Sequence, residues 1–173
     1  MNVLSQELIT YIVLGSSHHL ANKKEIKTDS YEEFIKLNFE NIDSFIEELD
    51  LKIAESRGEI VVLLPPSSIP NKKTRLKLQK IASMPFPSWG WFKFNKFRKN
   101  ISQDIKKILT KLRSIPDFEQ GIYFSKNLYF SIGGFGKIEK NIFSEISRRL
   151  YSRLDPQKPL PALIIRSNKI KFK

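Results

Sequence analysis

The sequence predicts an α/β fold in which helices flank a mostly parallel sheet. Two short apolar runs, Ile9–Leu14 and Glu59–Leu64, have the composition and length of buried strands. Between them, residues 42–56 place apolar side chains at the three- and four-residue spacing of an amphipathic helix. Because strands alternate with helices along the chain, we expect βα units arranged around a parallel sheet.

Residues that interrupt regular structure mark the ends of these elements. Gly15-Ser16-Ser17 ends the first strand, Gly58 ends the helix, and Pro65-Pro66 ends the second strand because proline offers no ladder donor. The later elements are predicted, in order, as a basic helix at 71–82, a loop at 84–88, a half-exposed strand at Trp89–Phe97, a helix at 101–113, a strand at Gly121–Phe124, a helix at Lys126–Ile132 closed by Gly133-Gly134, a helix at 142–153, a strand at Ala162–Ile165 and a basic tail at 166–173. Two of these helices are predicted to direct apolar side chains inward, namely Ile101, Ile105, Ile108 and Leu112 on one, and Ile142, Ile146 and Leu150 on the other.

The composition is that of a globular protein. The chain has 173 residues, of which 40% are hydrophobic and 12% aromatic, so we expect one domain over residues 1–173. The absence of cysteine excludes a disulfide scaffold and thiol chemistry. No apolar run approaches the roughly 18 residues that cross a bilayer, and the N-terminus lacks the basic region of a signal peptide. These features favour a cytoplasmic protein, either free or peripheral at a membrane surface.

The net charge of +12 is concentrated in the second part of the chain. Residues 1–70 contain 6 Lys/Arg and 12 Asp/Glu, a net charge of −6, whereas residues 71–173 contain 24 Lys/Arg and 6 Asp/Glu, a net charge of +18. Such asymmetry indicates that the second part meets an anion such as nucleic acid, a phosphorylated ligand or a membrane surface. The alternative is a basic, solvated surface without a dedicated partner.

Aromatic and basic residues alternate through Trp89–Arg113, and this pattern has three interpretations. Aromatic rings beside cations are typical of single-stranded nucleic-acid binding. The same mixture suits an anionic membrane surface. Alternatively, the aromatic residues fill the core while the lysines cover the solvated face.

Two segments contain motifs in a recognisable order. Ala54–Pro70 contains a Gly-Glu pair, an apolar strand and a closing proline, and Glu119–Leu150 contains Gln-Gly-Ile, Gly-Gly-Phe and Ser-Arg-Arg-Leu. These motifs resemble those of family 2 glycosyltransferases of the GT-A type, especially the small bacterial branch that includes arsenosugar-type enzymes. Leu160–Ser167 is also similar to the family's last strand. The residues of the second segment that match are Gln120, Gly121, Ile122, Phe130, Gly133, Gly134, Phe135, Ser147, Arg148, Arg149 and Leu150.

The resemblance covers about residues 10–172 and implies a truncated GT-A (Rossmann-like) sandwich. Ile9–Ser17 is similar to the family's second strand, so the opening strand is expected to be missing. Leu14 stands where that second strand usually ends in aspartate. The metal-binding acidic motif corresponds to Pro65-Pro66-Ser67, and the acidic pair that supplies the catalytic base corresponds to Ile142-Phe143.

These departures concern the two groups on which the family's chemistry depends. Mg²⁺ or Mn²⁺, held by oxygen ligands, neutralises the leaving diphosphate, and a carboxylate accepts the proton of the acceptor hydroxyl. Neither Pro65 and Ser67 nor Ile142 and Phe143 supply a carboxylate, so we expect no metal cofactor and weak or absent transfer.

Several candidate site residues remain. Arg148 and Arg149 match family positions and are candidates for a metal-free diphosphate clamp, with a solvent-facing pair as the alternative. Glu119 is the catalytic candidate because it occupies the family's acidic position near the acceptor, although a solvated loop carboxylate is an equal reading. The resemblance also implies candidates at the nucleotide loop, namely Gly15, Ser16 and His18. In the acceptor region it implies Trp89 and Trp91.

The sequence therefore predicts a glycosyltransferase-like protein, related to nucleotide-sugar-dependent transfer, with weak or lost catalysis and a nucleotide-sugar or glycan ligand. The alternative is a non-catalytic basic module that binds an anionic glycan, a membrane surface or nucleic acid, or regulates a partner. Loss of the first strand would also leave an unpaired sheet edge, through which a homodimer or another protein complex could form.

Overall fold

The computed structural model describes residues 8–21, 29–95 and 101–165. In chain order the elements are β1 (Ile9–Gly15), α1 (Ser17–Ala21), β2 (Glu32–Asn38), α2 (Ile42–Glu55), β3 (Ile60–Leu64), β4 (Ser68–Ile69), α3 (Lys72–Ala82), β5 (Trp89–Trp91), α4 (Ile101–Arg113), β6 (Ile122–Ser125), α5 (Lys126–Ser131), α6 (Ser144–Tyr151) and β7 (Ile164–Ile165). A 3-10 turn, Phe118–Gln120, precedes β6. Within the described ranges, no helix combines the length and apolar character needed to cross a membrane.

Five strands form the main sheet in the order β2-β1-β3-β6-β5. β1 pairs in parallel with β2 and with β3, whereas β6 runs antiparallel to β3 and to β5. Four of the five strands therefore point the same way. β4 and β7 form a separate antiparallel pair. The predicted α/β class, a mostly parallel sheet in a Rossmann-like sandwich, is confirmed.

Helices cover both faces of this sheet and divide the core into two clusters. On one face, α2 contributes Phe45 and Leu49 and α6 contributes Ile146, all of which are buried. On the other face, Leu78 of α3 packs with Tyr11 and Val62 of the central strands. Since β1 and β3 have apolar neighbours on both faces, their continuous apolar sequences are those of doubly buried strands.

The sequence reading passed over β2 because it lacks a continuous apolar run. Glu32 opens this strand with a side chain that is fully buried, and Arg75 of α3 pairs with its carboxylate through Nε at 2.7 Å and through Nη2. Tyr11 donates a further hydrogen bond to Glu32 Oε1 at 3.3 Å. Burial of a carboxylate in a strand therefore depends on a partner 43 residues away, which strand periodicity does not reveal.

The predicted half-exposed strand at Trp89–Phe97 is wrong in length and exposure. β5 has three residues, and Trp89, Trp91 and Phe94 are all buried. The chain after α6 covers this edge, because Trp89 Nε1 donates to the Leu154 carbonyl at 2.7 Å and Leu160 N donates to the Trp91 carbonyl at 2.9 Å. Residues 96–97 of the predicted strand, like the predicted basic tail at 166–173, lie outside the described residues.

The predicted orientation of α4 is also wrong. Ile105, Ile108 and Leu112 were expected to point inward, but each is more than half exposed. The side that packs on the domain is polar instead, because Thr110 is buried and its hydroxyl donates to Gln120 Oε1 at 3.2 Å. The side chain of Ile101 lies outside the described part of this helix. By contrast, Ile142, Ile146 and Leu150 point inward as predicted.

β1 is paired on both sides and does not lie at an edge of the sheet. All seven residues of β1 are in register with β2, and Ile9–Val13 are in register with β3 on the other side. β1 is therefore an interior strand, and the edges of the main sheet are formed by β2 and β5.

Candidate functional site at the carboxyl edge of the sheet

The carboxyl ends of β1, β2 and β3 meet at one edge of the sheet, and the 3-10 turn before β6 lies beside them. From β1 the chain connects to β2, its neighbour on one side. β3, with β6 beyond it, lies on the other side of β1. In open α/β sheets, ligands bind outside the carboxyl ends of the strands where the strand order reverses in this way. The sequence-predicted site residues located around this edge are Gly15, Ser16, His18, Pro65, Ser67 and Glu119.

The first of these loops follows β1 and packs tightly against the loop after β3. A side chain at Gly15 would come within 3.1 Å of Leu20 and 3.4 Å of Pro66, so glycine permits the two loops to touch. The neighbouring Ser16 hydroxyl lies 2.8 Å from His19 Nδ1, and His18 is exposed. Gly15 therefore ends β1, and Ser16 and His18 follow it into α1.

A network that the sequence reading missed closes the start of α1. Glu40 accepts hydrogen bonds from Ser17 N at 3.0 Å, Ser17 Oγ at 2.9 Å and Asn38 Nδ2 at 3.2 Å. These bonds, led by that from Asn38, hold the pKa of the Glu40 carboxyl below its ordinary value. The backbone N–H that would meet a ligand phosphate here already has a carboxylate partner from the same chain. In the sequence, this network is indicated only by Asn38 and Glu40 at the end of β2, and that strand was not predicted.

The loop after β3 has a rigid, non-carboxylate structure. Pro65 and Pro66 are buried, and Ser67 has a φ of 60°. The Ser68 hydroxyl donates to the Pro65 carbonyl at 2.7 Å and locks the turn. In the part of the chain that the structure describes, no three His, Cys, Asp or Glu residues are grouped so that they could hold a metal ion. The chemistry available at this loop is a single hydroxyl, that of Ser67.

The Gln-Gly-Ile segment has a structural reason for each of its first two residues. The Gln120 side chain accepts from Asp117 N at 2.8 Å and donates to the Phe92 carbonyl at 3.0 Å, which joins the 3-10 turn to the end of β5. Gly121 has a φ of 65°, and a Cβ there would lie 2.8 Å from the Leu63 carbonyl oxygen. Glu119, which precedes this segment, has intermediate exposure, and its N–H donates to Asp117 Oδ1 at 3.2 Å.

The positions of the resembled acidic pair belong to the core. Ile142 is 2% exposed and Phe143 is fully buried. Phe143 packs against Phe118, the residue before Glu119, with ring centroids 6.0 Å apart. The structure therefore brings 142–143 next to the Glu119 turn but places there two side chains that accept no proton.

Arg148 and Arg149 are already paired with acidic residues of their own region. Arg148 lies 2.5 Å from Glu139 and 3.7 Å from Glu145, and Arg149 lies 2.9 Å from Glu145. The hydrogen bond from Arg148 holds the pKa of Glu139 below its ordinary value. Arg149 Nη1 also donates to the Gly133 carbonyl at 3.4 Å, so it supports the turn after α5. The two arginines contact α6 and the loop before it. The nucleotide-loop candidates are located elsewhere, at the end of β1.

The two tryptophans are buried, which corrects the expectation that an exposed ring meets an acceptor. Trp89 is fully buried, whereas Trp91 keeps 7% exposure and lines a groove of about 350 Å³. Phe94, Lys93 and Lys107 also line this groove. Gln120 lies on its wall, so the groove reaches the Glu119 turn.

The edge thus combines a small aromatic and basic groove, the carboxylates of Glu40 and Glu119, and tightly packed glycine turns. No protein-family model matches this chain, and no curated protein is significantly similar to it in sequence.

Proposed function

We propose that this protein is a glycosyltransferase-like domain that binds a nucleotide sugar or a glycan and has lost efficient metal-dependent transfer. The observation that supports this proposal most directly is the state of two positions at the carboxyl edge. Buried Pro65 and Pro66 stand at the position of the metal motif, and buried Ile142 and Phe143 at that of the base. A diphosphate leaving group meets no carboxylate-bound cation at these positions, and an acceptor hydroxyl meets no base.

The groove beside Glu119 is the proposed ligand site. Trp91 and Phe94, each 7% exposed, form part of the apolar wall of the groove, and Lys93 and Lys107 offer ammonium groups to phosphate. Glu119 precedes Gln120, which lines the groove, and its carboxylate is the proposed acceptor of a hydrogen bond from a sugar hydroxyl. This arrangement binds a polar ligand without needing a cation.

Binding is tested by the thermal stability of the full chain in the presence of UDP, GDP, dTDP and their sugar conjugates, with and without Mn²⁺. A ligand that binds only the folded state raises the melting temperature. We expect a rise that is independent of Mn²⁺ and is reduced in Lys93→Ala and Lys107→Ala. Lys80→Ala, on the exposed face of α3, is the matched control and should behave as the wild type. A Mn²⁺ requirement, or no rise with any of these ligands, would contradict the proposal.

A second candidate function, a basic binding module, is favoured by the surface of α3. Lys72, Lys73, Lys77 and Lys80 are exposed on this helix, and among the described residues none of them forms an ion pair. Heparin retention that falls steeply with salt, and weakens in Lys73→Ala/Lys77→Ala, would support an anionic polymer as the ligand. Retention unchanged by those substitutions would argue against α3 as its site.

A further inference from the structure

The apolar side of α4 faces away from the domain. Ile105, Ile108, Leu109 and Leu112 are neighbours on this helix, and their exposed fractions run from 41% for Leu109 to 77% for Leu112. Isolated exposed leucines are common in proteins, but a contiguous stripe of four aliphatic side chains on one helix marks an interaction surface. We name these four side chains the α4 stripe.

The exposure follows from how the helix is held. Thr110 lies opposite the α4 stripe, is buried, and donates to Gln120 Oε1 at 3.2 Å. Lys106, one turn earlier, lies 3.2 Å from Asp117 Oδ2. The polar side of α4 is therefore anchored to the 3-10 turn by specific contacts, and the helix presents its apolar side to the outside.

The charges around the α4 stripe are mainly positive. The helix contains Lys106, Lys107, Lys111 and Arg113 against a single acidic residue, Asp104. Lys107 and Arg113 are exposed, as is Lys93 across the adjoining groove. Residues 71–173, to which this helix belongs, have a net charge of +18. A helix with an aliphatic side and basic flanks complements a surface that is apolar below and anionic above.

We propose that α4 is an interfacial helix that docks this protein on an anionic lipid bilayer. Ile105, Ile108, Leu109 and Leu112 enter the boundary between headgroups and acyl chains, and Arg113 reaches the phosphates. The docking does not depend on the ligand proposed for the groove, and it leaves the carboxyl edge of the sheet unchanged.

Two other occupants fit the observations less well. Single-stranded nucleic acid stacks its bases on aromatic rings, but the exposed side chains of the α4 stripe are aliphatic, and Trp89, Trp91 and Phe94 are buried. A second copy of this chain would bring two basic helices together, and like charges at an interface are repulsive. A bilayer that contains acidic lipids meets both the apolar and the electrostatic requirement.

The test is flotation of the full chain with vesicles of equimolar phosphatidylcholine and phosphatidylglycerol, compared with vesicles of phosphatidylcholine alone. We expect binding to the anionic vesicles only, and a decrease when salt rises from about 0.1 M to about 0.5 M. Ile108→Asn/Leu112→Ser should lower the partition coefficient by about tenfold or more, because two side chains no longer leave water. Leu51→Ser, at a 55% exposed leucine on the acidic helix α2, is the matched control and should leave binding unchanged.

Other results would overturn the proposal. These are absence of binding to anionic vesicles, equal binding to both vesicle types, or full binding by the double variant. Dimerisation of the wild type that the double variant abolishes would show that the stripe joins two copies instead. Loss of folding in the double variant would show that the stripe is packed rather than exposed. As a separate readout, Leu109→Trp should gain a blue-shifted emission with the anionic vesicles, whereas an unshifted spectrum would place the helix in water.

Discussion

Gly121 shows how a single residue can be both part of a family-like motif and a requirement of the backbone. Its φ of 65° and ψ of 169° fall in a region that is essentially restricted to glycine. A Cβ would also meet the Leu63 carbonyl at 2.8 Å. The Gln-Gly-Ile segment is thus explained by the junction of the 3-10 turn with β3, without reference to catalysis.

Gly121→Ala is therefore expected to cost about 3 kcal/mol of unfolding free energy, because it combines backbone strain with a clash. Gly133→Ala is the matched control, since Gly133 has a φ of 80° but its Cβ would make only an ordinary contact, 3.8 Å from Arg149 Nη1. It should cost only about 1 kcal/mol for the left-handed backbone. Urea unfolding of both variants measures the difference, and equal losses would show that the Leu63 contact is not as close as described.

Glu40 gives the carboxyl edge a pH dependence. The pKa of its carboxyl is lowered in the folded state, first by the hydrogen bond from Asn38 and then by those from Ser17. Stability from this network is present above the unfolded-state pKa of about 4.3 and is lost as pH falls through the lower folded-state pKa. The difference in unfolding free energy between the wild type and Glu40→Gln should therefore shrink on acidification. At neutral pH, the same Glu40→Gln substitution should cost less when it is made in an Asn38→Ala background. Urea unfolding at several pH values measures this gap, and a constant gap would contradict the account.

At the scale of elements, the packing before α6 shows why a carboxylate is not accommodated at position 143. Phe143, just before this helix, is fully buried against Phe118. Phe143→Glu should destabilise the fold by about 4 kcal/mol, since it removes a buried ring and buries an unpaired carboxylate. Lys140→Glu, in the exposed loop before it, should change stability by less than about 0.5 kcal/mol. Calorimetry of both variants tests this, and a stable Phe143→Glu protein would mean that the position is open to a ligand.

The pairing of β2 with α3 through Glu32 and Arg75 is a second element-scale requirement. Glu32→Gln should cost about 3 kcal/mol because it removes the carboxylate that pairs most closely with a largely buried guanidinium, and the other acidic partner, the exposed Asp29, lies 4.0 Å away. Glu55→Gln, which breaks the exposed pair with Lys52, should cost less than about 1 kcal/mol. Chemical denaturation distinguishes the two, and similar losses would show that the buried pair contributes no more than a surface pair.

The elements that the sequence predicted well are those whose apolar pattern agrees with their surroundings. β1, α2 and β3 have patterns set by burial in the sheet, so periodicity was enough to find them. β2 and α4 were misread because distant contacts decide them. Arg75 allows an acidic strand, and Thr110 with Gln120 turns the polar side of an amphipathic helix inward. Of the site, Glu119 and the β1 loop lie at the same edge of the sheet, but the Glu40 network depends on β2, which was not predicted.

For the molecule as a whole, the fold and the charge distribution are separate properties. The acidic first part supplies β1, β2 and α2, and the basic second part supplies α3 and α4, whose outer surfaces contain exposed lysines. Charge of this kind determines association and rates of encounter rather than the fold. The proposed ligand groove and the α4 stripe both include residues of the basic part, but they lie on opposite sides of α4.

The central claim is that a glycosyltransferase-like scaffold remains while its metal-dependent reaction is lost. The most direct measurement is release of nucleoside diphosphate from UDP-, GDP- and dTDP-sugars by the purified full chain, with and without Mn²⁺ or Mg²⁺. The account predicts release no faster than in the heat-denatured sample, with or without either cation. Release that requires a divalent cation and disappears in Glu119→Gln would contradict it.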